Sequence, residues 1–82
     1  MHESALERIE LASRSCELSQ WKEGEAIDTL AAAYAEAGDF TRAVAFENQA
    51  IALMKPVDEA RKAARARLQL YEHRHPYRET PD

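Results

Sequence analysis

Cysteine, glycine and proline are scarce in this sequence, with one, two and three copies among 82 residues. The single cysteine, Cys16, cannot form a disulfide within the chain, which favours a reducing compartment. No apolar run approaches the roughly 18–20 residues needed to span a bilayer, and residues 1–4 lack the basic and apolar regions of a signal peptide. We therefore expect a cytoplasmic protein with no membrane partner. Few glycines and prolines in an alanine-rich chain also favour long helices.

Charge is distributed unevenly along the chain. The formal net charge is −4, with −6 on residues 1–47 and +2 on residues 48–82. The negative total argues against general nucleic-acid binding. The asymmetry could orient copies of the chain head to tail or attract a charged ligand.

Apolar residues recur at helical spacing in four segments, which predict helices over about residues 4–18, 24–37, 40–54 and 57–73. Ser4, followed three residues later by Glu7, fits a capping box at the start of the first helix. Gly38 accepts the left-handed conformation that often ends a helix, and Asp39 can cap the next helix. Pro56 ends the third helix, because proline disfavours helical geometry in the residue before it.

The length of the chain allows one small domain, which we assign to residues 1–74. Residues 75–82 contain two prolines and are predicted to form an extended tail. Trp21, in the connector after the first helix, is expected to pack across the junction between helices, because its ring is too large and apolar to leave in water.

The central segment has a specific order of small, large and turn residues. It reads Leu30-Ala-Ala-Ala-Tyr34, Gly38-Asp39-Phe40, and then Ala43, Ala50 and Pro56. This order resembles one tetratricopeptide repeat, a helix–turn–helix unit of about 34 residues. It is most similar to a bacterial subgroup of that family, whose further motifs match Cys16-Glu17-Leu18, Trp21, Leu70-Tyr71 and Pro76-Tyr77-Arg78-Glu79.

A weaker second match appears when the third helix is shifted back by 35 residues onto the first. The aligned pairs are Val44 with Ile9, Phe46 with Leu11, Ala50 with Ser15, Ile51 with Cys16, and Leu53 with Leu18. One pair departs from the pattern, because the bulky Arg8 stands where the repeat has Ala43. The resemblance implies an all-α fold, an antiparallel array of about four helices that comprises one and a half repeats and a C-terminal cap helix.

The resemblance implies a protein-binding scaffold with a groove lined by the first helix of each repeat. The matching outward positions are Glu25, Asp28, Ala32, Ala35 and Glu36. This surface is acidic and lacks the basic and asparagine residues with which some members hold a terminal carboxylate. A basic or apolar peptide or helix would suit it by charge complementarity. The alternative is a solvated helix face without a ligand.

Self-association is the second way in which such a scaffold could act. Repeat units cannot bury both faces alone, and the first helix presents an open edge where a preceding half-repeat would pack. We predict a homodimer, or a larger homo-oligomer, through Leu6, Ile9 and Leu11. The alternative is a C-terminal capping fragment of a longer array that binds no ligand of its own.

Nucleic-acid binding is a less favoured function. The fourth helix carries a basic run of Arg61, Lys62, Arg65 and Arg67, but no aromatic residues are interleaved with it. We therefore interpret this run as a solvated helix face.

The sequence predicts no enzyme, with no catalytic residue, cofactor or metal site. Cys16 lies on an apolar stripe without a nearby base, so a buried packing role is expected. His73 and His75 point in different directions on a helix and make a poor metal pair with Glu72. The many glutamates are interpreted as solubilising helix surfaces.

Overall fold

The computed structural model describes residues 4–74, and within this range the chain forms four α-helices and no strand. They are α1 (Ala5–Leu18), α2 (Gly24–Glu36), α3 (Phe40–Leu53) and α4 (Glu59–Glu72). The predicted all-α helical array is confirmed. The predicted tail over residues 75–82 lies outside the described residues.

Side-chain caps fix the start of two helices. The backbone N–H of Glu7 donates to Ser4 Oγ over 3.1 Å, and that of Arg42 donates to Asp39 Oδ1 over 3.1 Å. Each bond satisfies one of the amides that a helix start leaves without a partner. The predicted Asp39 cap is confirmed, and of the predicted capping box the bond to the Ser4 hydroxyl is confirmed.

The fourth helix begins two residues later than predicted. The Lys55 backbone N–H donates to Asp58 Oδ2 over 3.2 Å, and the Asp58 N–H donates to the Lys55 carbonyl over 3.0 Å. These bonds form a turn that holds Asp58 outside the helix, so Glu59 is its first residue. The predicted start at about residue 57 would have placed Asp58 inside the helix, whereas Asp58 lies just before its first residue.

The first two helices end in the same hydrogen-bonded motif. The Trp21 N–H donates to the Cys16 carbonyl after α1, and the Asp39 N–H donates to the Tyr34 carbonyl after α2, over 2.8 and 2.9 Å. This pattern, the Schellman motif, requires a left-handed residue just beyond the helix. Gly38 takes that place after α2 with φ +84°, whereas Gln20 takes it after α1 with φ +57°.

The helices pack in chain order as antiparallel neighbours, with α2 at the centre. α1 packs on one side of α2, and α3 packs on another; α4 packs on α3 and also reaches α2. The start of α2 passes close to the end of α3, since a Cβ on Gly24 would lie 2.9 Å from the Ala50 carbonyl oxygen. Only glycine permits this approach.

Two clusters of buried side chains form the core. One joins α1, α2 and α3 and contains Ala12, Cys16, Ile27, Leu30 and Ala50. The other joins α2, α3 and α4 and contains Ala31, Ala35, Ala43 and Tyr71. Between them, the Phe46 ring stacks on Trp21 and Tyr34 at centroid distances of 5.9 and 5.5 Å. Trp21 thus packs from the α1–α2 connector onto α3. Within residues 4–74, each helix falls short of the length and apolar character that a membrane-spanning helix requires.

Candidate interaction groove and buried carboxyl site

An apolar groove runs between α1 and α2 on the surface of the array. It has a volume of about 400 Å³ and is open to solvent. Its lining residues are Arg8, Leu11, Ala12, Ser15, Thr29, Ala32, Ala33 and Glu36. Alanines at its floor leave space that larger apolar side chains of another helix could fill, while Leu11 on its wall is 56% exposed.

The structure distributes the five predicted groove residues over different places. Ala32 and Glu36 line the α1–α2 groove. Glu25 lies in a separate acidic cleft of about 280 Å³ with Glu23 and Asp58. Ala35 is 2% exposed and packs in the core, so its predicted outward position is wrong.

Asp28 does not lie on an open face either. Its carboxylate pairs with Arg67 of α4 across the α2–α4 contact. The predicted outward position of Asp28 is wrong, because the predicted fourth helix packs against this part of α2.

The three residues predicted for self-association do not form one patch. Ile9 is half-buried against the core formed with α2. Leu6 and Leu11 are exposed, but five residues correspond to about 140° around a helix, so they point to different sides of α1. Leu11 belongs to the groove, and Leu18, seven residues further on, lies on the same side and is 87% exposed.

A buried polar site lies where α2, α3 and α4 meet. Glu47 of α3 is fully buried, and Asp28 of α2 accepts a hydrogen bond from Arg67 Nη1 of α4 over 2.7 Å. Tyr71, one turn after Arg67, is 1% exposed. We call Asp28, Glu47, Arg67 and Tyr71 the carboxyl site.

The unpaired oxygens of this site can be satisfied by a proton shared between its two acids. Among the described residues, no N–H or O–H group donates to either Glu47 oxygen or to Asp28 Oδ1. The two carboxyl groups are nevertheless close enough for Asp28 to raise the pKa of Glu47. Two ionised carboxylates cannot form a hydrogen bond with each other, whereas a protonated Glu47 can donate to Asp28 and give a partner to one oxygen of each residue.

Burial, followed by the hydrogen bond and the charge of Asp28, raises the pKa of Glu47 to about 9, with the charge of Arg67 acting in the opposite direction. Glu47 is therefore neutral at pH 7. Burial, followed by the charges of Glu47 and Asp28, also raises the pKa of Tyr71 above its usual range. With Glu47 and Tyr71 neutral, the Asp28 and Arg67 charges cancel, so the site carries no net charge in the low-dielectric interior.

The interpretation of all glutamates as solubilising residues is wrong for Glu47. A signal was present in the sequence, because Glu47 lies four residues after Ala43 and four before Ile51, on the apolar face of the helix. The spacing of the two α4 residues of the site was also visible in the sequence, because Arg67 and Tyr71 are four residues apart and share one side of α4.

The basic run on α4 is divided between two environments. Lys62 and Arg65 are exposed, whereas Arg61 and Arg67 are half-buried. The expectation of a solvated face is thus wrong for Arg67, whose guanidinium pairs with Asp28. A nucleic acid could contact only part of the run.

Cys16 has the buried packing role expected from the sequence. Burial, and then the negative charge of Glu17, raises the pKa of its thiol. The thiol is therefore protonated at neutral pH and a poor nucleophile. Within residues 4–74 no group of three metal-binding side chains is found. The pair His73 and His75, which the sequence made a poor candidate for metal binding, includes His75, and this residue lies outside the described range.

Comparisons with protein-family models, with curated proteins and with solved structures gave no match to the chain.

Proposed function

We propose that the chain is a protein-interaction module that forms a homodimer through the α1–α2 groove. The observation that supports this is the groove itself, an open, mainly apolar surface of about 400 Å³. The packing of four helices in chain order and the resemblance of residues 30–56 to a tetratricopeptide repeat support a repeat-type scaffold. In this proposal the scaffold acts by binding other proteins and has no catalytic activity. The single buried cysteine agrees with a cytoplasmic location.

A second copy is the partner that this groove fits best, because one patch offers both halves of a contact. Leu11 and Leu18 protrude, while Ala12, Ala32 and Ala33 leave space. In a two-fold interface the same patch faces itself, so protruding leucines of one copy can enter the alanine-lined space of the other.

The charges at the groove are also compatible with self-pairing. Arg8 and Glu36 line it with one charge of each sign. Facing two such patches against each other brings opposite charges together as readily as like ones. A strongly acidic or basic partner would gain less from this surface.

Sedimentation equilibrium of the purified chain tests the proposal, and Leu11→Glu is the decisive variant. We expect a wild-type dimer and a Leu11→Glu monomer with unchanged helical circular dichroism, because a carboxylate at this position of the groove wall would have to be removed from water when the two copies associate. Leu6→Glu is the matched control, since it places the same charge on the same helix about 140° away.

Three results would contradict this assignment. The first is a wild-type chain that stays monomeric at the highest soluble concentration, which would leave the groove to a helix of a different protein. The second is a dimer lost in Leu6→Glu but kept in Leu11→Glu. The third is loss in both variants, which would indicate a general effect of charge on α1.

A further inference from the structure

We propose that the carboxyl site is a proton-linked docking site for α4, in which Glu47 binds a proton when the helix docks and shares it with Asp28. The inference concerns the interior of the array and does not depend on self-association. It assigns a role to four residues from three helices.

The docked helix supplies the only charge that balances the site among the residues facing it. Asp28 faces Glu47 from α2, and Arg67 and Tyr71 face it from α4. With α4 in place, Arg67 Nη1 lies 2.7 Å from Asp28 Oδ2 and Glu47 is fully buried. Moving α4 away would return both carboxyl groups to water and remove the reason for Glu47 to hold its proton.

The site therefore selects the helix that it binds. An apolar helix would leave the Asp28 charge buried and unpaired, and an acidic helix would add repulsion. A basic residue followed four positions later by a buried, uncharged aromatic residue supplies the balancing charge without adding a second charge, and Arg67 and Tyr71 have this spacing.

The direction of the pH dependence follows from proton binding. The folded state keeps the Glu47 proton up to about pH 9, whereas the unfolded chain loses it near the usual value of about 4.3. The stabilisation is complete below the unfolded value and is lost as the pH rises towards the folded value. Between them, the folding equilibrium constant should fall about tenfold per pH unit on account of this one group.

Urea unfolding from pH 5 to pH 9 tests this with Glu47→Gln. The glutamine amide can still donate to Asp28 but cannot ionise, so it keeps the contact without the proton linkage. We expect the ratio of the wild-type to the variant folding constant to fall about tenfold per pH unit, so that the variant becomes the more stable chain at alkaline pH. Taking this ratio cancels the contributions of the three histidines.

Two further measurements make the result specific. Hydrogen exchange should show protection lost at alkaline pH first in α4 and later in α1. The ¹³C shift of the Glu47 side-chain carboxyl should titrate far above the usual range for glutamate, and this readout does not depend on how the variant folds. Glu10→Gln, a change at an exposed carboxyl group on α1, is the matched control and should leave the titration of the Glu47 carboxyl unchanged.

A Glu47 carboxyl that titrates near its usual value would overturn the proposal. So would a pH-independent ratio between wild type and Glu47→Gln, or alkaline loss of protection that begins in α1.

Discussion

The α1–α2 groove and the carboxyl site are two solutions to the same packing problem. A shift of 35 residues places Ala12 of α1 on Glu47 of α3 and Leu11 on Phe46. On α3 the Glu47 carboxyl group is buried where α4 packs, next to the pair of Asp28 and Arg67. On α1 the corresponding face is open, and it offers alanine and leucine.

The difference shows how polarity sets the selectivity of a helix-packing face. Removing charged groups from water is costly, so the carboxyl site accepts only a helix that brings the matching charge. An alanine-lined groove makes no such demand and gains from any well-fitting apolar surface. The covered face is thus specific for one segment of the chain, and the open face is suited to association.

The largest expected effect comes from removing the charge that balances the covered face. Arg67→Ala should lower the free energy of unfolding by about 3–5 kcal/mol at pH 7, because it leaves buried carboxyl groups without compensation. Urea unfolding followed by circular dichroism measures this. Arg65→Ala is the matched control on the same helix, and at this exposed position we expect a change within about 0.5 kcal/mol.

An equal effect of Arg65→Ala and Arg67→Ala would show that only general helix charge matters. That result would remove the distinction between the covered and the open face, because the carboxyl site would then contribute no specific stabilisation.

A carboxyl group transferred to the open face should be harmful, since that face has no matching arginine arranged around it. Ala12 is 6% exposed, and Ala12→Glu should cost about 2 kcal/mol or more at pH 7. The cost should be smaller at pH 4, because a buried carboxyl group with a raised pKa is then neutral and its desolvation penalty falls.

Leu6→Glu again serves as the control, because it introduces the same group at a position that is 75% exposed. If Ala12→Glu were as stable as this control at pH 7, the groove floor would be readily hydrated. The contrast between the apolar α1–α2 groove and the polar carboxyl site would then not hold.

The helices and turns were predictable because their signals are local. Ser4 and Asp39 cap from within three residues of the amides that they bind. Gly38 supplies a backbone conformation that most residues resist. The start of α4 was misplaced because the Asp58 side chain accepts a hydrogen bond from the Lys55 backbone N–H and so forms a turn before the helix. A sequence pattern does not distinguish that turn from a first helical turn.

The carboxyl site was missed because it is formed by contacts distant in sequence. Asp28 and Arg67 are 39 residues apart, and each alone has the composition of an ordinary helix surface. The separation of Leu6 from Leu11 was predictable from helical geometry alone. The burial of Ala35 was not, because it depends on Tyr71 of α4 packing into the same cluster.

The smallest effect is expected at the two turns that follow α1 and α2. Gln20 and Gly38 take the same left-handed place after α1 and α2, at φ +57° and +84°. Gly38→Ala should lower the free energy of unfolding by about 1 kcal/mol, because a Cβ is disfavoured in this conformation even though the space around it is open.

Gln20→Gly should raise the free energy of unfolding by about 0.5 kcal/mol, since the relief of strain slightly exceeds the extra entropy of glycine in the unfolded chain. Thermal unfolding of both variants measures the two signs. A loss in Gln20→Gly would mean that the exposed Gln20 side chain contributes more to the turn than its backbone strain costs.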